Sequence, residues 1–421
     1  MTTAILPRRS LGGLPLLRVL HGLGLALMAA FIFFACFAFS DASPYDLVAL
    51  PTMALWLLLG IRLHRGAVPL VVLLLVFVGM TVLALLPYLD EEKPSLWTIQ
   101  LCYLAVTGIF FAMFFSDDTD RRLELALKVY TASTLFSGAL GIGGYLGLIG
   151  NEDLFSKYGR ASGTFQDPNV FGSFLTLGAL YLIHNLISGR ARHPLLSVAG
   201  LLLLLGAIFL SFSRGSWGGT AVAIALMVTC IYRTTASRAL RRRILRSTVA
   251  TVLLGGLALG GLLSVGSVAE TFAKRAAVTQ DYDEGETGRF GNQIRGLGLL
   301  MEEPMGFGPL RWRLIFNLEP HNSYLGAFAN GGWVAGAAFI LLVLSTSRVG
   351  WRLMLAPTPV RRHAQIVVPA LVMFFLQAFQ IDVEKWRHVY MMLGIVWALE
   401  AARVRWREDG PAAVCTARQM V

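Results

Sequence analysis

About twelve apolar stretches, each long enough to cross a bilayer as a helix, divide this chain of 421 residues. They fall near residues 16–40, 45–62, 67–88, 96–116, 122–150, 169–188, 195–213, 216–233, 247–268, 322–343, 364–381 and 386–403, with charge or Gly, Pro, Asn and Asp between them. With 56% hydrophobic and only 14% charged residues, the chain is far too apolar for a soluble protein with one or two ordinary cores. It reads as an integral membrane protein, a single membrane domain over 1–421. The first stretch follows Arg8, Arg9 and Arg18, is too long for a signal-peptide core and runs straight into another span, so it is expected to stay in the mature protein.

An even number of spans puts both termini on one side. That side carries about two-thirds of the 36 Lys+Arg and under a third of the 25 Asp+Glu, so both termini are expected in the cytoplasm. The strongest basic element, RTTASRALRRRILR at residues 233–246, is then a short loop touching anionic lipid, and nucleic acid is not an expected partner. Cys36, Cys102 and Cys230 lie in or at the ends of spans and Cys415 in the tail, without disulfide or metal spacing.

Most connections are short. The long one, about 269–320, lies on the outer face between the ninth and tenth spans, where function is expected. The same topology sends His21, His64, His184, His193 and His363 towards the cytoplasm and leaves His321 and His388 outside. His321 and Asn322 stand where LEPHNSYLGAFANGGWVAG (318–336) enters the membrane. A titratable imidazole there is either a catalytic group or an interfacial ornament.

Within the long loop, ETGRFGNQIRGLGLLMEEPMGFG predicts a helix from near Thr287 to Pro304, with Arg289, Asn292 and Arg295 on one ridge. The next stretch, MGFGPLRWR, has glycines that permit close backbone approach and delivers Arg311 and Arg313 beside Trp312. Taken alone these arginines read first as interfacial snorkellers. Grouped on a net acidic face, they also suit a phosphate or carboxylate.

GRASGTFQDPNVFGSF (159–174) is a turn-rich entry to the sixth span, with Pro168 at a first-turn position. SFSRGSW (211–217) is a tight outer hairpin whose single charge, Arg214, is balanced between snorkelling and meeting an anion. QIDVEKWRHVY (380–390) groups Asp382, Glu384, Lys385, Arg387 and His388, for which mutual salt bridging is the simplest account and a shared cavity the other. The acidic run DYDEGE (281–286) precedes a helix start, where the dipole favours carboxylates, and no third ligand stands nearby, so no metal is assigned.

These pieces in this order, GTFQDPNVFGSFL, SFSRGSW, TGRFGNQ leading to EEPMGFGP, and PHNSYL, resemble the membrane family of O-antigen ligases and O-antigen or exopolysaccharide polymerases. The resemblance covers roughly residues 159–345, and DVEKWRHVYMMLG is similar to the family's closing segment. It implies an all-α polytopic membrane protein of C-type glycosyltransferase-like architecture, with a cavity under a large periplasmic loop. It also implies metal-independent, cofactor-free glycosyl transfer on the outer face of a bacterial inner membrane. The donor would be a glycan on undecaprenyl diphosphate, and the acceptor the lipid A core or a growing glycan. His321 would be the base, with Glu319 two residues earlier as the alternative. Arg214 and Arg289 match the family's arginines and would grip the diphosphate, helped by Arg295, Arg311 and Arg160, with Asn322, Tyr324 and Trp312 contacting sugar. For the aromatics, Trp333 included, an interfacial belt is the competing reading. A secondary transporter is the rival from another class; it would need charges at the bilayer midplane and repeated halves with broken helices.

Overall fold

The computed structural model describes residues 15–39, 43–150, 152–275, 285 and 288–408. The DYDEGE carboxylates at 281–284 and 286, Thr287, Arg8, Arg9 and Cys415 lie outside them. Helix dominates, as it must where no water is present to satisfy backbone groups. The first helices are α1 (Pro15–Phe33), α2 (Pro44–Leu58), α3 (Val68–Leu85), α4 (Glu92–Ser116), α5 (Thr119–Tyr145) and the short α6 (Glu152–Phe155). There follow α7 (Pro168–Ser188), α8 (Pro194–Leu210), α9 (Arg214–Thr234), α10 (Arg238–Leu263) and α11 (Gly266–Arg275). The last are α12 (Arg289–Glu302), α13 (Trp312–Phe316), α14 (Ser323–Leu355), α15 (Arg361–Gln377) and α16 (Arg387–Glu408).

Each apolar stretch of the sequence coincides with one of these helices. Eight of them, α1, α3, α4, α5, α7, α9, α10 and α14, are long and apolar enough to cross a membrane by length and composition, while α2 and α8 are shorter apolar helices. The all-α polytopic membrane architecture is thus the observed one. Among the described residues the departures are a hairpin of two short strands, β1 (Ser156–Lys157) and β2 (Arg160–Ala161), turned by Tyr158 and Gly159, both at positive φ, and an isolated bridge between Ala38 and Phe165.

Nearly every residue of α7, α15 and the upper two-thirds of α16 is buried, which makes these helices the centre of the bundle. By contrast α10 buries only Ile244 among its side chains and lies at the periphery. Close packing depends on missing side chains: a Cβ on Gly394 of α16 would come within 2.6 Å of the Gly108 carbonyl oxygen of α4, so the two backbones touch there.

The longest helix, α14, is broken. Gly332 adopts φ 76° and ψ −171°, outside the helical region, and the segment 304–308 of the long loop fills the break. The Trp333 N–H bonds the Pro304 carbonyl (2.9 Å), and the Ala329 carbonyl accepts the N–H groups of Phe307 (2.8 Å) and Gly308 (3.1 Å). The helix bond from residue 333 back to 329 is replaced at both ends by the loop. Gly306 makes this approach possible, because its Cβ would lie 2.7 Å from the Ala329 oxygen. The Trp333 indole adds a bond to the Leu300 carbonyl (2.8 Å), and Asn330 Oδ1 accepts the Leu310 N–H (3.1 Å).

Candidate functional site

At the end of the bundle where α14 begins, Pro320 leads into His321, whose φ of 45° lies in the left-handed region, uncommon for non-glycine residues though less so for Asn, Asp and His. Asn322 then returns to extended backbone and caps α14, its Oδ1 accepting the Leu325 N–H at 3.1 Å. The turn between α15 and α16 locks this entry: Ser323 N–H bonds the Ala378 carbonyl (2.8 Å), Ser323 Oγ donates to Glu384 Oε2 (2.7 Å), and the Val383 N–H bonds Ser323 Oγ (2.7 Å).

Asp382 sits at the centre of that lock. One carboxylate oxygen accepts the Asn322 N–H at 3.1 Å, and the other lies 3.5 Å from His321 Nδ1. With Nδ1 turned to the carboxylate, Nε2 occupies the opposite edge of a ring whose side chain is 39% exposed. The Asp382 carboxylate raises the pKa of His321 above the ordinary histidine value, against the pull of burial and of the Arg289 charge. Glu319 is also raised, by burial first and then by Asp382, with Arg313, His321 and Lys385 opposing. Burial and the Asp382 charge push the Glu384 carboxyl up as well.

Arg289 opens α12 and reaches this turn, its guanidinium 3.4 Å from the Gln380 carbonyl and over the Phe290 ring at 4.8 Å. Gln293, one turn on, donates to the Pro320 carbonyl (2.8 Å) and ties α12 to the His321 segment. Arg214 opens α9 behind its cap Ser213, two residues after Phe212, another left-handed residue at φ 46°. The neighbouring Gly215 lies against Gln377, one turn of chain before Gln380. A buried polar ladder backs this corner: Ser173 Oγ bonds Gln377 Oε1 (2.9 Å) and Ser216 Oγ (2.9 Å), and Ser216 Oγ bonds Ser213 Oγ (2.9 Å). The amino-terminal ends of α9, α12 and α14 therefore meet the carboxy-terminal end of α15, and three helix dipoles present positive ends to one region.

The other residues expected at the site are placed differently. Arg160 is 7% exposed and clamps two loops, through Nε to the Ser211 carbonyl (2.7 Å) and Nη2 to Asn169 Oδ1 (2.8 Å). Arg295 turns to Asn292 Oδ1 (2.7 Å) and the Phe316 ring. Arg311 does not join His321: it pairs with Glu91 and lies over the Tyr88 ring at 3.8 Å, fastening the long loop to the end of α3 and the start of α4. Trp312 is 1% exposed and fills the interior of the loop against Gly296, Phe307 and Phe316. Tyr324 bonds the Phe375 carbonyl (2.8 Å) and packs on Phe379, while its ring, with Asn322, lines an open groove of about 390 Å³ beside α12.

Members of the 380–390 group have partners in distant elements. Arg387 crosses to Asp46 (2.9 Å) and the Phe37 carbonyl (3.1 Å), His388 is boxed by Phe174, Phe374 and Trp386, and Asp382 and Glu384 serve the α14 entry. Asp382, Gln377 and Gln380 are the site residues that sequence reasoning did not assign. A carboxylate expected on the same face as His321 was the available signal.

Fold and site together define a polytopic helical membrane protein with a histidine–carboxylate pair and arginines gathered at one end of its bundle. A family model described as O-antigen ligase matches residues 199–340, from within α8 to within α14, about a third of the chain. No curated protein matches the chain. The matched region holds Arg214, Arg289, Arg295, Arg311, Trp312, His321, Asn322 and Tyr324, whereas Arg160 and Asp382 lie outside it. The match supports only a coarse functional statement, a membrane ligase of the O-antigen ligase type with lipid-linked glycans in general as substrates.

Proposed function

We propose that this chain is a membrane glycosyltransferase that moves a glycan from undecaprenyl diphosphate to a sugar hydroxyl at the outer face of a bacterial inner membrane. The observation that carries the reading is the His321–Asp382 pair, at 3.5 Å, set beside Arg289. Asp382 orients the imidazole so that Nε2 faces the acceptor. The acceptor oxygen attacks the anomeric carbon and its proton passes to Nε2, while the bond from that carbon to the diphosphate oxygen breaks. The electron pair leaves with the lipid diphosphate, whose developing charge Arg214 and Arg289 stabilise with permanently charged, bidentate donors. The reading thus gives to guanidiniums and helix ends the neutralisation that a metal supplies elsewhere. Attachment of finished polymer to the lipid A core is slightly preferred over joining repeat units on the carrier.

The broken α14 invites the transporter alternative, since half-helices hold ions in many carriers. Here, however, the Ala329 carbonyl freed by the break accepts two N–H groups from the long loop. The deciding experiment is the surface-polysaccharide profile of a strain lacking the gene, complemented with the native chain or with His321→Ala. Long polymer held on the carrier, with bare lipid A core, is the result expected for a ligase. Single repeat units would make it a polymerase, and an unchanged profile in the deletion strain would sink the glycan reading.

A further inference from the structure

At the opposite end of the bundle from His321, α1 and the first turns of α5 enclose a cavity of about 370 Å³ lined by His21, Leu25, Ala26, Ala29, Asp118, Arg121, Arg122 and Leu125. Its chemistry is graded. Asp118, Arg121 and Arg122 form a charged mouth at the start of α5, and Leu125 lies one turn deeper. On α1 the gradation runs from His21 through Leu25 to Ala29, eight residues and so about 12 Å further in. Arg122 is fixed, being 8% exposed, bonded to the Phe114 carbonyl (2.6 Å) and held over the rings of Trp56 (4.7 Å) and Phe114 (4.5 Å). Arg121 is exposed beside it.

A charged mouth above an apolar slot of that depth matches one phosphate with a hydrocarbon chain beneath it. Basic pockets between membrane helices bind anionic headgroups in this way. Two guanidiniums against the Asp118 carboxylate leave one positive charge, which a single phosphodiester balances; the carboxylate remains an acceptor for a headgroup hydroxyl.

We infer that this cavity binds an anionic glycerophospholipid with a hydroxyl-bearing headgroup, of the phosphatidylglycerol type, with its phosphate at Arg121 and Arg122 and an acyl chain along Leu25, Ala29 and Leu125. The site is separate from the one that carries the proposed transfer.

Native mass spectrometry of the purified full-length protein, exchanged from detergent into phosphatidylglycerol, phosphatidylcholine or inorganic phosphate, tests it. The expected result is one phosphatidylglycerol retained in preference to phosphatidylcholine. Arg121→Ala should reduce that preference about fivefold, the worth of one basic residue at a lipid phosphate, and Ala29→Phe should fill the slot and abolish retention. Brominated acyl chains should quench the part of the tryptophan emission that is lost in Trp56→Phe, because Trp56 packs edge-on to His21 at 5.0 Å. Unchanged retention in both the Arg121 and Ala29 variants, equal binding of phosphatidylcholine, or full displacement of the lipid by inorganic phosphate would each overturn the assignment.

Discussion

His321 combines an unfavoured backbone conformation with a carboxylate partner sixty-one positions away, and residues held in such conformations cluster where geometry matters to function. The pairing has a pH signature. Because Asp382 raises the His321 pKa, its contribution to stability is fully present below the ordinary histidine pKa and is lost as pH rises through the raised value. The free base appears only above that value, so the acid limb of the transfer rate should lie at higher pH than an unperturbed histidine gives. In Asp382→Asn the limb should move to lower pH while the maximal rate falls by about a hundredfold or more, the usual worth of a positioned acid–base group. A pH–rate profile whose acid limb stays put would remove Asp382 from the mechanism. Arg289→Lys keeps the charge and loses the fork, and transfer should drop about a hundredfold with protein level unchanged; native kinetics would dismiss the diphosphate contact. The sequence singles out His321 and Arg289 because residue type and expected outer-face position together are unusual. Asp382 was not singled out, because its role is a contact between the α14 entry and the α15–α16 turn. Arg311 and Trp312 were legible only as residues, since Glu91 and Gly296, which absorb them, belong to other elements.

Among the elements, hydropathy located every long helix, since a bilayer-length apolar run has few other solutions. It also ran straight through ANGGWVAG and so concealed the break in α14, which depends on a tertiary exchange of hydrogen bonds that no local pattern records. Gly332→Ala should expose that dependence: φ 76° with ψ −171° is nearly closed to other residues, and the new Cβ would lie 2.7 Å from the Met305 carbonyl carbon. A cost of about 1–3 kcal/mol is expected, together with faster proteolysis in the 303–320 segment and lost transfer. A variant as protease-resistant and active as the native protein would show that the loop does not rely on the break. In α12, Phe290, Ile294, Leu297 and Met301 form an exposed apolar row behind Arg289, the periodicity of a helix lying along an apolar surface. The sequence displayed that spacing, but only the positions of Asn292, Gly296 and Leu300 in the interior reveal which face is covered.

For the whole molecule, the bundle separates two polar ends. One carries His321 and Asp382; the other is held by Arg362, which bonds Glu124 (2.7 Å) and Asn185 (3.0 Å) across α5, α7 and α15. The charge asymmetry of the sequence predicts which end faces the cytoplasm. In a chain whose own cysteines are replaced by serine, a cysteine at Lys274 should react with a membrane-impermeant reagent in intact cells. One at Arg238 should react only after permeabilisation; the reverse pattern would invert the orientation. Charge counts carry that expectation, whereas the central place of α7 and the peripheral place of α10 were not legible in the sequence, because both are apolar and differ only in what surrounds them. The seam at Gly332 bears on how the molecule can be recombined. Residues 323–333 carry the bonds to the long loop and to the 378–384 turn, while the helix beyond Trp333 runs on among the bundle. A chimera that exchanges such segments between related chains should therefore be spliced just after Trp333, inside the helix, and not at Ser323 where it begins; the portable module is the loop with its stub of helix.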